Sequence, residues 1–206
     1  MFTSQLNLSG NELCGLDCWR RGTYTAQGIQ AIADALKLKG SLTSLNLYDN
    51  RIGKEGAKAL AAGLAASASL TKILVSDNML GDEGTTILCN ALRESKVAKV
   101  HELDLQNNGF GPDGAKAVAA MAAAMGSVTK ILVGDNNLRD EGTIILCDAL
   151  RVSTVSKVQG LGLWSNGIGP AGAQAIAALC TAMASVTSVR SPAHPNHSSH
   201  VPSHVP

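Results

Sequence analysis

Aromatic residues and net charge are what this chain has least of. Only 3% of its 206 residues are aromatic, and 17 basic residues against 16 acidic ones leave a formal net charge of +1. A balance this even offers no electrostatic footprint for nucleic acid or an anionic membrane, so we expect neither as a partner. Since 45% of the residues are apolar, a core can still form, and alanine and leucine must build it in thin layers.

The sequence also lacks membrane-spanning segments and a disulfide framework. Its first residues show no basic stretch followed by an apolar run, so we expect no signal peptide. The apolar stretches 57–66 and 115–125 are too short and too interrupted to span a bilayer. The five cysteines are odd in number and irregularly spaced, which argues against structural disulfides. These features predict a cytoplasmic protein.

Residues suited to catalysis or metal binding are scarce as well. His101 is the only histidine before residue 191, and the sequence suggests no catalytic arrangement of a serine, a histidine and an acidic residue around it. Cys14 and Cys18 have C-x3-C spacing but no matching pair that would complete a four-ligand zinc site. We therefore expect no catalytic residue, no metal and no cofactor.

What the chain does contain is one short motif in six copies. In the second copy the apolar residues Leu45 and Leu47 are followed by Asn50 and then by Ile52. This L-x-L-x-x-N-x-L pattern is the signature of a leucine-rich repeat, and each unit reads as strand, asparagine turn and helix. The asparagines, which we call the asparagine ladder, are Asn11, Asn50, Asn78, Asn108, Asn136 and Asn166.

The repeats come in two alternating types. Counted from Leu42, successive strands start 28, 30, 28, 30 and 28 residues apart, so that the last begins at Val186. The deeper period is therefore a two-repeat unit of 58 residues. Residues 70–99 and 128–157 are identical at 21 of 30 positions, which indicates tandem duplication of this unit.

The helical part of each repeat has its own recurring residues. A glycine occupies one position near every helix start, which costs helix stability and indicates a close approach of the backbone between repeats. Acidic residues at these starts, such as Asp82 and Asp140, suit the dipole of the helix that they open. Cys89, Cys147 and Cys180 fall where other repeats hold alanine or leucine, so we expect all three in the core. The glycines are Gly28, Gly56, Gly84, Gly114, Gly142 and Gly172.

Two segments break the period and divide the chain into a solenoid of about six repeats over residues 1–190 and a tail over 191–206. An insertion over residues 14–25 is predicted to loop out before a helix that starts near Gln27. Its Trp19, Arg20 and Arg21 suggest either an interaction site or a cover for the first repeat. The tail holds four of the five histidines and four of the six prolines, and this composition predicts disorder. Its histidines either bind metal loosely or have no role.

Cassettes such as LTSLNLYDNRIGKEGAKALAAGL resemble the ribonuclease-inhibitor-like class of leucine-rich-repeat proteins. The resemblance covers roughly residues 3–190. Within this range the repeats are most similar to those of intracellular NOD-like receptors and Ran GTPase-activating proteins. The resemblance implies an α/β fold, a curved solenoid with parallel strands on the concave face and helices on the convex face. It also implies a protein-binding role.

Strand alternation identifies the residues that should line the concave face. We expect Tyr48, Leu74, Leu132 and Trp164 to be exposed there and to anchor a protein partner, inside a polar rim that includes Asp104. The alternative is that Tyr48 and Trp164 only cover neighbouring strands. The whole candidate surface is Tyr48, Asp49, Lys72, Leu74, Asp77, Glu102, Asp104, Lys130, Leu132, Asp135 and Trp164.

Three functions are consistent with these residues. The first is a non-enzymatic interaction module or scaffold that binds a protein on its concave face. The second, implied by the resemblance, is a Ran-type GTPase-activating protein that acts through the edge loops, with Arg51 and Arg139 as candidate arginines. The third is end-to-end self-association, since capping repeats are absent from the sequence and open solenoid ends invite pairing.

Overall fold

The computed structural model describes residues 4–17, 19–38 and 40–182, and strands and helices alternate strictly within them. Cys18, the strand predicted from Val186 and the predicted tail lie outside the described residues. The elements are β1 Gln5–Asn7, α1 Gln27–Lys37, β2 Ser44–Asn46, α2 Gly53–Ala66, β3 Lys72–Leu74, α3 Gly81–Glu94, β4 Glu102–Asp104, α4 Pro112–Ala124, β5 Lys130–Leu132, α5 Arg139–Val152, β6 Gly160–Gly162 and α6 Pro170–Ala182.

The strands form one open parallel sheet in the chain order β1 to β6. Each strand pairs with the next without a shift, so that equivalent residues such as Leu45, Ile73 and Leu103 lie side by side. Each described helix also packs against the helices of the adjacent repeats. The predicted α/β curved leucine-rich-repeat solenoid is confirmed.

The core lies between the sheet and the helix layer. Strand residues such as Leu45 and Ile73 meet helix residues such as Leu60 and Leu88, and all four are buried. Cys89 and Cys147 are buried as predicted, but Cys180 is exposed. The prediction for Cys180 was wrong because no described helix packs beyond α6, so a position that is internal in earlier repeats faces outward in this one.

The asparagine ladder ties each turn to the repeat before it. The Asn78 amide Nδ2 donates to the carbonyl oxygens of Leu47, Val75 and Ser76 at 2.8, 3.1 and 2.9 Å. Its Oδ1 accepts from the backbone N–H groups of Asn50 and Ile52 at 3.0 and 3.2 Å. Fully buried backbone groups thereby find partners at a point where the strand pairing ends.

Asn50 is the incomplete member of this ladder. Its Nδ2 makes three hydrogen bonds, to Leu8, Leu47 and Tyr48, but its buried Oδ1 accepts none. In the later repeats, the side-chain oxygen of the ladder asparagine accepts from backbone N–H groups in the turn of the preceding repeat. For Asn50 the preceding turn is that of the first repeat, which leads directly into the insertion.

The aspartates at the starts of α3 and α5 accept hydrogen bonds from the next repeat rather than from their own helix. Asp82, in the first turn of α3, accepts with Oδ1 from the N–H groups of Gly111 and Gly114 at the start of α4, at 2.8 and 2.7 Å. Asp140 does the same for Gly169 and Gly172 at the start of α6. The sequence-based assignment to their own helix dipoles therefore missed this contact. The close backbone approach predicted from the repeated glycine is present here, since a Cβ on Gly172 would lie 3.3 Å from Asp140 Cα and 2.7 Å from its Oδ1.

We predict that Asp82→Ala lowers the free energy of unfolding by about 1–2 kcal/mol, because two N–H groups of α4 lose their cap. Asp113→Ala is the matched control, since Asp113 lies in the first turn of α4 itself but is exposed and pairs only with Lys116. That variant should stay within about 0.5 kcal/mol of wild type. Urea denaturation measures both, and equal losses would contradict the capping role of Asp82.

Candidate binding surface on the concave face

The first row of the concave face is an ion-pair network across three strands. Glu102 on β4 lies between Lys72 on β3 and Lys130 on β5, with nitrogen-to-oxygen distances of 3.3 and 2.9 Å. Burial alone raises the pKa of Glu102, but hydrogen bonds from Lys130 and Lys72 lower the pKa below its usual value overall. These charges compensate one another and leave one positive charge on the row.

The second row is more enclosed than predicted. Asp104 lies in register between Leu74 and Leu132, and only 8% of its surface is exposed. The prediction that it belongs to an exposed polar rim was wrong, because the neighbouring leucines and Gln106 fill the space around it. Burial raises the pKa of Asp104, even though Gln106 donates to its Oδ1 from both the backbone and the side chain.

We predict that Asp104→Asn raises the free energy of unfolding at neutral pH by about 1 kcal/mol. Asn7 and Asn46 hold the equivalent position in repeats 1 and 2, and each accepts the same bond from the N–H two residues later. The amide therefore keeps the turn and removes a poorly solvated charge.

The same variant has a pH signature. Because the pKa of Asp104 is raised in the folded state, its charged carboxylate destabilises the fold at pH values above that pKa. This destabilisation disappears as the carboxyl becomes protonated. The wild type should therefore approach the stability of Asp104→Asn as the pH falls through the raised pKa. Urea denaturation at a series of pH values from neutral into the acid range tests this point, and a gap that does not close at low pH would contradict it.

Trp164 covers its neighbours instead of standing free. Its indole ring lies over Gly134 and Gly162, where an added Cβ would collide with the ring. The indole Nε1 donates to Asp135 Oδ2 at 3.1 Å. The side chain is half-buried, so the prediction that Trp164 is exposed was wrong and the ring does cover its neighbours, whereas a role in binding a partner stays a prediction.

Tyr48 is the most exposed of the four predicted anchors. It is 43% exposed, whereas Leu74 and Leu132 are half-buried like Trp164, so the predicted exposure was wrong for these two leucines as well. Its partial burial, and next the nearby charges of Asp77 and Asp49, raise the pKa of the Tyr48 hydroxyl. Asp49 pairs with Arg51 at 3.3 Å, and Asp77 accepts a hydrogen bond from Asn107. Tyr48 is therefore an accessible ring bordered by carboxylates that the turns hold in place.

The strand-to-helix turns add two shallow cavities to this surface. One, of 270 Å³, brings Arg20 of the insertion beside Asp49, Arg51 and the exposed Met79. The other, of 300 Å³, is lined by Arg139 and Glu141 among others. Sequence reasoning missed Met79 because its position, directly after Asn78, holds a different residue type in almost every repeat.

The insertion exposes Trp19 and is attached to the second repeat through Tyr24. Asp17 Oδ1 accepts from the N–H groups of Trp19 and Arg21, which fixes a tight loop, and Trp19 is 71% exposed. A covering role for Trp19 is therefore wrong. Tyr24 performs the attachment instead, because its hydroxyl donates to the Ile52 carbonyl at 2.6 Å. Burial contributes most to raising the pKa of this hydroxyl to about 12.

The described part of the chain offers few residues suited to metal binding or thiol chemistry. There, no group of three or more His, Cys, Asp or Glu side chains is arranged to hold a metal. Burial raises the pKa of the Cys89 and Cys147 thiols to about 12, which suppresses the reactive thiolates. None of the described helices is both long and apolar enough to cross a membrane.

Comparison with known sequences supports the repeat assignment. The family model of the leucine-rich repeat matches residues 41–61 and 98–119. RAN GTPase-activating protein 2 of Arabidopsis thaliana is 32% identical over 90 residues, which is 44% of this chain. The match spans only 16% of the length of that relative.

Solved structures share the fold at low sequence identity. The tropomodulin C-terminal domain of Caenorhabditis elegans matches with a TM-score of 0.61 and 14% identity, over 75% of this chain and 90% of that domain. Leiomodin-1 actin-binding site 2 matches with a TM-score of 0.58 and 12% identity, over 76% and 86% respectively. The six strand–asparagine–helix units, their parallel sheet and the family-model match give this chain a leucine-rich-repeat fold of the ribonuclease-inhibitor-like type, and the solved structures share that fold.

Proposed function

We propose that this chain is a non-enzymatic protein-interaction module whose partner docks on the concave face, beside the strand-to-helix turns. The observation that carries the proposal is Tyr48, a large aromatic side chain left 43% exposed just after β2 on the concave face. Aromatic residues with few rotatable bonds are favoured anchors, because little conformational entropy is lost when they are buried. Leu74 and Leu132 extend the apolar surface, and the ion-pair row of Lys72, Glu102 and Lys130 borders it.

The cytoplasmic location expected from the sequence is part of this proposal. All four described cysteines are free thiols, including the exposed Cys180. A reducing compartment keeps such thiols unpaired.

Site-specific photo-crosslinking tests the docking face even while the partner is unidentified. A benzophenone amino acid at position 48 should trap a partner in source cells, whereas the same group at Val152, which is 68% exposed on α5, should not. Tyr48→Ala should then weaken binding of the trapped protein at least tenfold, since central aromatic anchors contribute about 2 kcal/mol or more. Val152→Ala should leave binding unchanged. Equal trapping at both positions would contradict concave-face docking.

A second candidate is a GTPase-activating role, favoured by the 90-residue similarity to RAN GTPase-activating protein 2. An arginine supplied to a GTPase stabilises the transition-state charge and accelerates hydrolysis by about 10³–10⁵-fold. Arg139 is the better placed candidate, because it is exposed beside the 300 Å³ cavity. The Arg51 side chain is only 13% exposed and pairs with Asp49.

Single-turnover GTP hydrolysis by Ran separates the two functions. The interaction-module proposal predicts no acceleration when this chain is added. Acceleration that Arg139→Ala abolishes and Arg151→Ala retains would instead support the GTPase-activating role, since both arginines lie on α5 and Arg151 is at its opposite end.

A further inference from the structure

The near-zero net charge of the chain conceals an uneven distribution of charge over the solenoid. Segments 93–101 and 151–159 contain the last residues of α3 and α5 and the loops that lead to β4 and β6. Together they hold five basic residues and one acidic residue, a formal net charge of +4 with histidine neutral, whereas the whole chain carries +1. These segments lie at the same edge of the solenoid, where helices end and the next strands begin, so this edge is basic.

Only part of this charge is neutralised by ion pairs. Arg93 and Arg151 pair with Glu94 and Asp148 at 3.4 and 3.1 Å. The other three cations are exposed, and none of them forms an ion pair within the described part of the chain. They are Lys96, Lys99 and Lys157. An anionic partner would supply the opposite charge that these lysines lack.

Each of the two loops also exposes a valine beside its lysines. Val97 is 42% exposed and Val155 is 47% exposed, and each lies three residues before the buried valine that leads into the next strand. In the shorter loops of the 28-residue repeats, the same position holds Ser67 or Met125, and both of these side chains are buried. The exposed valines are therefore a feature of the 30-residue repeats.

A serine holds each loop in a fixed conformation. Ser95 Oγ donates to the carbonyl of Ala65 near the end of α2 at 2.5 Å. The same oxygen accepts from the N–H groups of Val97 and Ala98 at 3.2 and 3.0 Å. Ser153 makes the equivalent three bonds two repeats later. The loops are thus preorganised, so little conformational entropy is lost when a partner binds them.

We propose that these two loops form a second docking surface, separate from the concave face, which binds an acidic peptide segment of a protein partner. We call this surface the basic edge, and it consists of Lys96, Val97, Lys99, Val155 and Lys157. The occupant follows from charge complementarity, because lysines without ion pairs attract carboxylates. The valines favour a chain that carries apolar side chains among its acids over a uniformly charged polyanion.

The spacing of the two loops limits the peptide that fits. Equivalent residues of alternate repeats, such as Lys99 and Lys157, are about 10 Å apart where they enter the sheet, since adjacent strands are about 4.8 Å apart. An extended peptide covers this distance in about three residues. Acidic residues about three positions apart, with an apolar residue between them, should therefore meet both loops.

Val152 lies outside the basic edge even though it is close in sequence to the second loop. About 200° of helical rotation separates its side chain from that of Leu150, which is buried in the core. Val152 therefore points from α5 toward the convex surface.

Fluorescence anisotropy with a dye-labelled peptide of repeated Glu-Glu-Leu triplets tests the proposal. The wild type should bind this peptide, with an affinity that falls as salt is raised. The double variant Lys99→Glu/Lys157→Glu should bind it at least about tenfold more weakly. Lys58→Glu/Lys116→Glu is the matched control, because it makes the same charge change at two exposed, equivalent positions of α2 and α4. That control should bind like the wild type, and circular dichroism checks the fold of both variants. No binding by the wild type, or an equal loss in both variants, overturns the proposal.

Two further comparisons identify the class of partner. Val97→Ser/Val155→Ser should weaken binding of the leucine-containing peptide about threefold and leave unchanged the binding of a peptide with serine in place of leucine. Phosphatidylserine vesicles and a single-stranded RNA are tested in parallel. Tighter binding of either one, lost in Lys99→Glu/Lys157→Glu, overturns the assignment to an acidic peptide. Tyr48→Ala should bind the peptide like the wild type, so this proposal and docking on the concave face can fail independently.

Discussion

Asn78→Ala is expected to lower the free energy of unfolding by about 4 kcal/mol, more than the loss of any other side chain discussed above. The N–H groups of Asn50 and Ile52 lose their acceptor. Three carbonyl groups each lose one of two donors, since they also accept from Asn50, Asn108 or the Asp49 N–H. Each buried group left unsatisfied costs about 1–3 kcal/mol before relaxation and water reduce the total. Urea denaturation followed by circular dichroism measures the loss.

The ladder supplies two internal controls for this prediction. Asn50 is buried and makes the same three donor bonds, but its Oδ1 accepts none. Asn50→Ala should therefore cost about 1–2 kcal/mol less than Asn78→Ala, which isolates the acceptor half of the side chain. Asn11 is exposed and bonds only to its own turn, so that Asn11→Ala should cost about 1 kcal/mol or less. Equal losses at positions 50 and 78 would show that the acceptor half contributes nothing.

Trp164→Ala is expected to lower the free energy of unfolding by about 3 kcal/mol, because it uncovers two glycine-bearing strands and removes the hydrogen bond to Asp135. Tyr48→Ala, at an exposed position in the same row of the sheet, should cost less than about 1 kcal/mol. The two aromatic residues should thus differ in their mutational effects: loss of Trp164 should mainly lower stability, and loss of Tyr48 should mainly weaken binding.

A double-mutant cycle with Gly134 tests the contact itself. Gly134→Ala should be strongly destabilising in the wild type, because its Cβ would collide with the indole ring. In the Trp164→Ala background the same change should be nearly neutral. The coupling between the two sites should therefore exceed about 1 kcal/mol. Additive losses would mean that the ring does not lie over this glycine.

Much of the fold could be predicted from the sequence because the repeat constrains each unit separately. Six copies of the strand–asparagine–helix pattern determine the order of the elements, the parallel pairing and the inward-facing residues such as Leu45 and Ile73. The recurring glycine predicted a close backbone approach, and one is present at Gly172 against Asp140.

The binding surface could be predicted only as a list of outward-facing positions. Alternation says which side of the sheet Asp104 and Trp164 lie on, but their exposure depends on residues that flank them on adjacent strands. Asp104 is buried because Leu74 and Leu132 flank it, and Trp164 is half-buried because Gly134 and Gly162 leave room for its ring. A large residue with glycines both on the adjacent strand, as at Gly134, and two positions earlier in its own repeat, as at Gly162, is the signal that could have identified the second case.

The architecture of this protein follows from its amino-acid sequence, since a periodic hydrophobic pattern has one way to bury its apolar face repeat after repeat. Which concave residues remain accessible, which helix Asp82 caps and that Cys180 faces outward became clear only from the folded chain. These properties belong to contacts between residues about 30 positions apart. Such contacts depend on the size and polarity of both partners, and no single repeat carries that information.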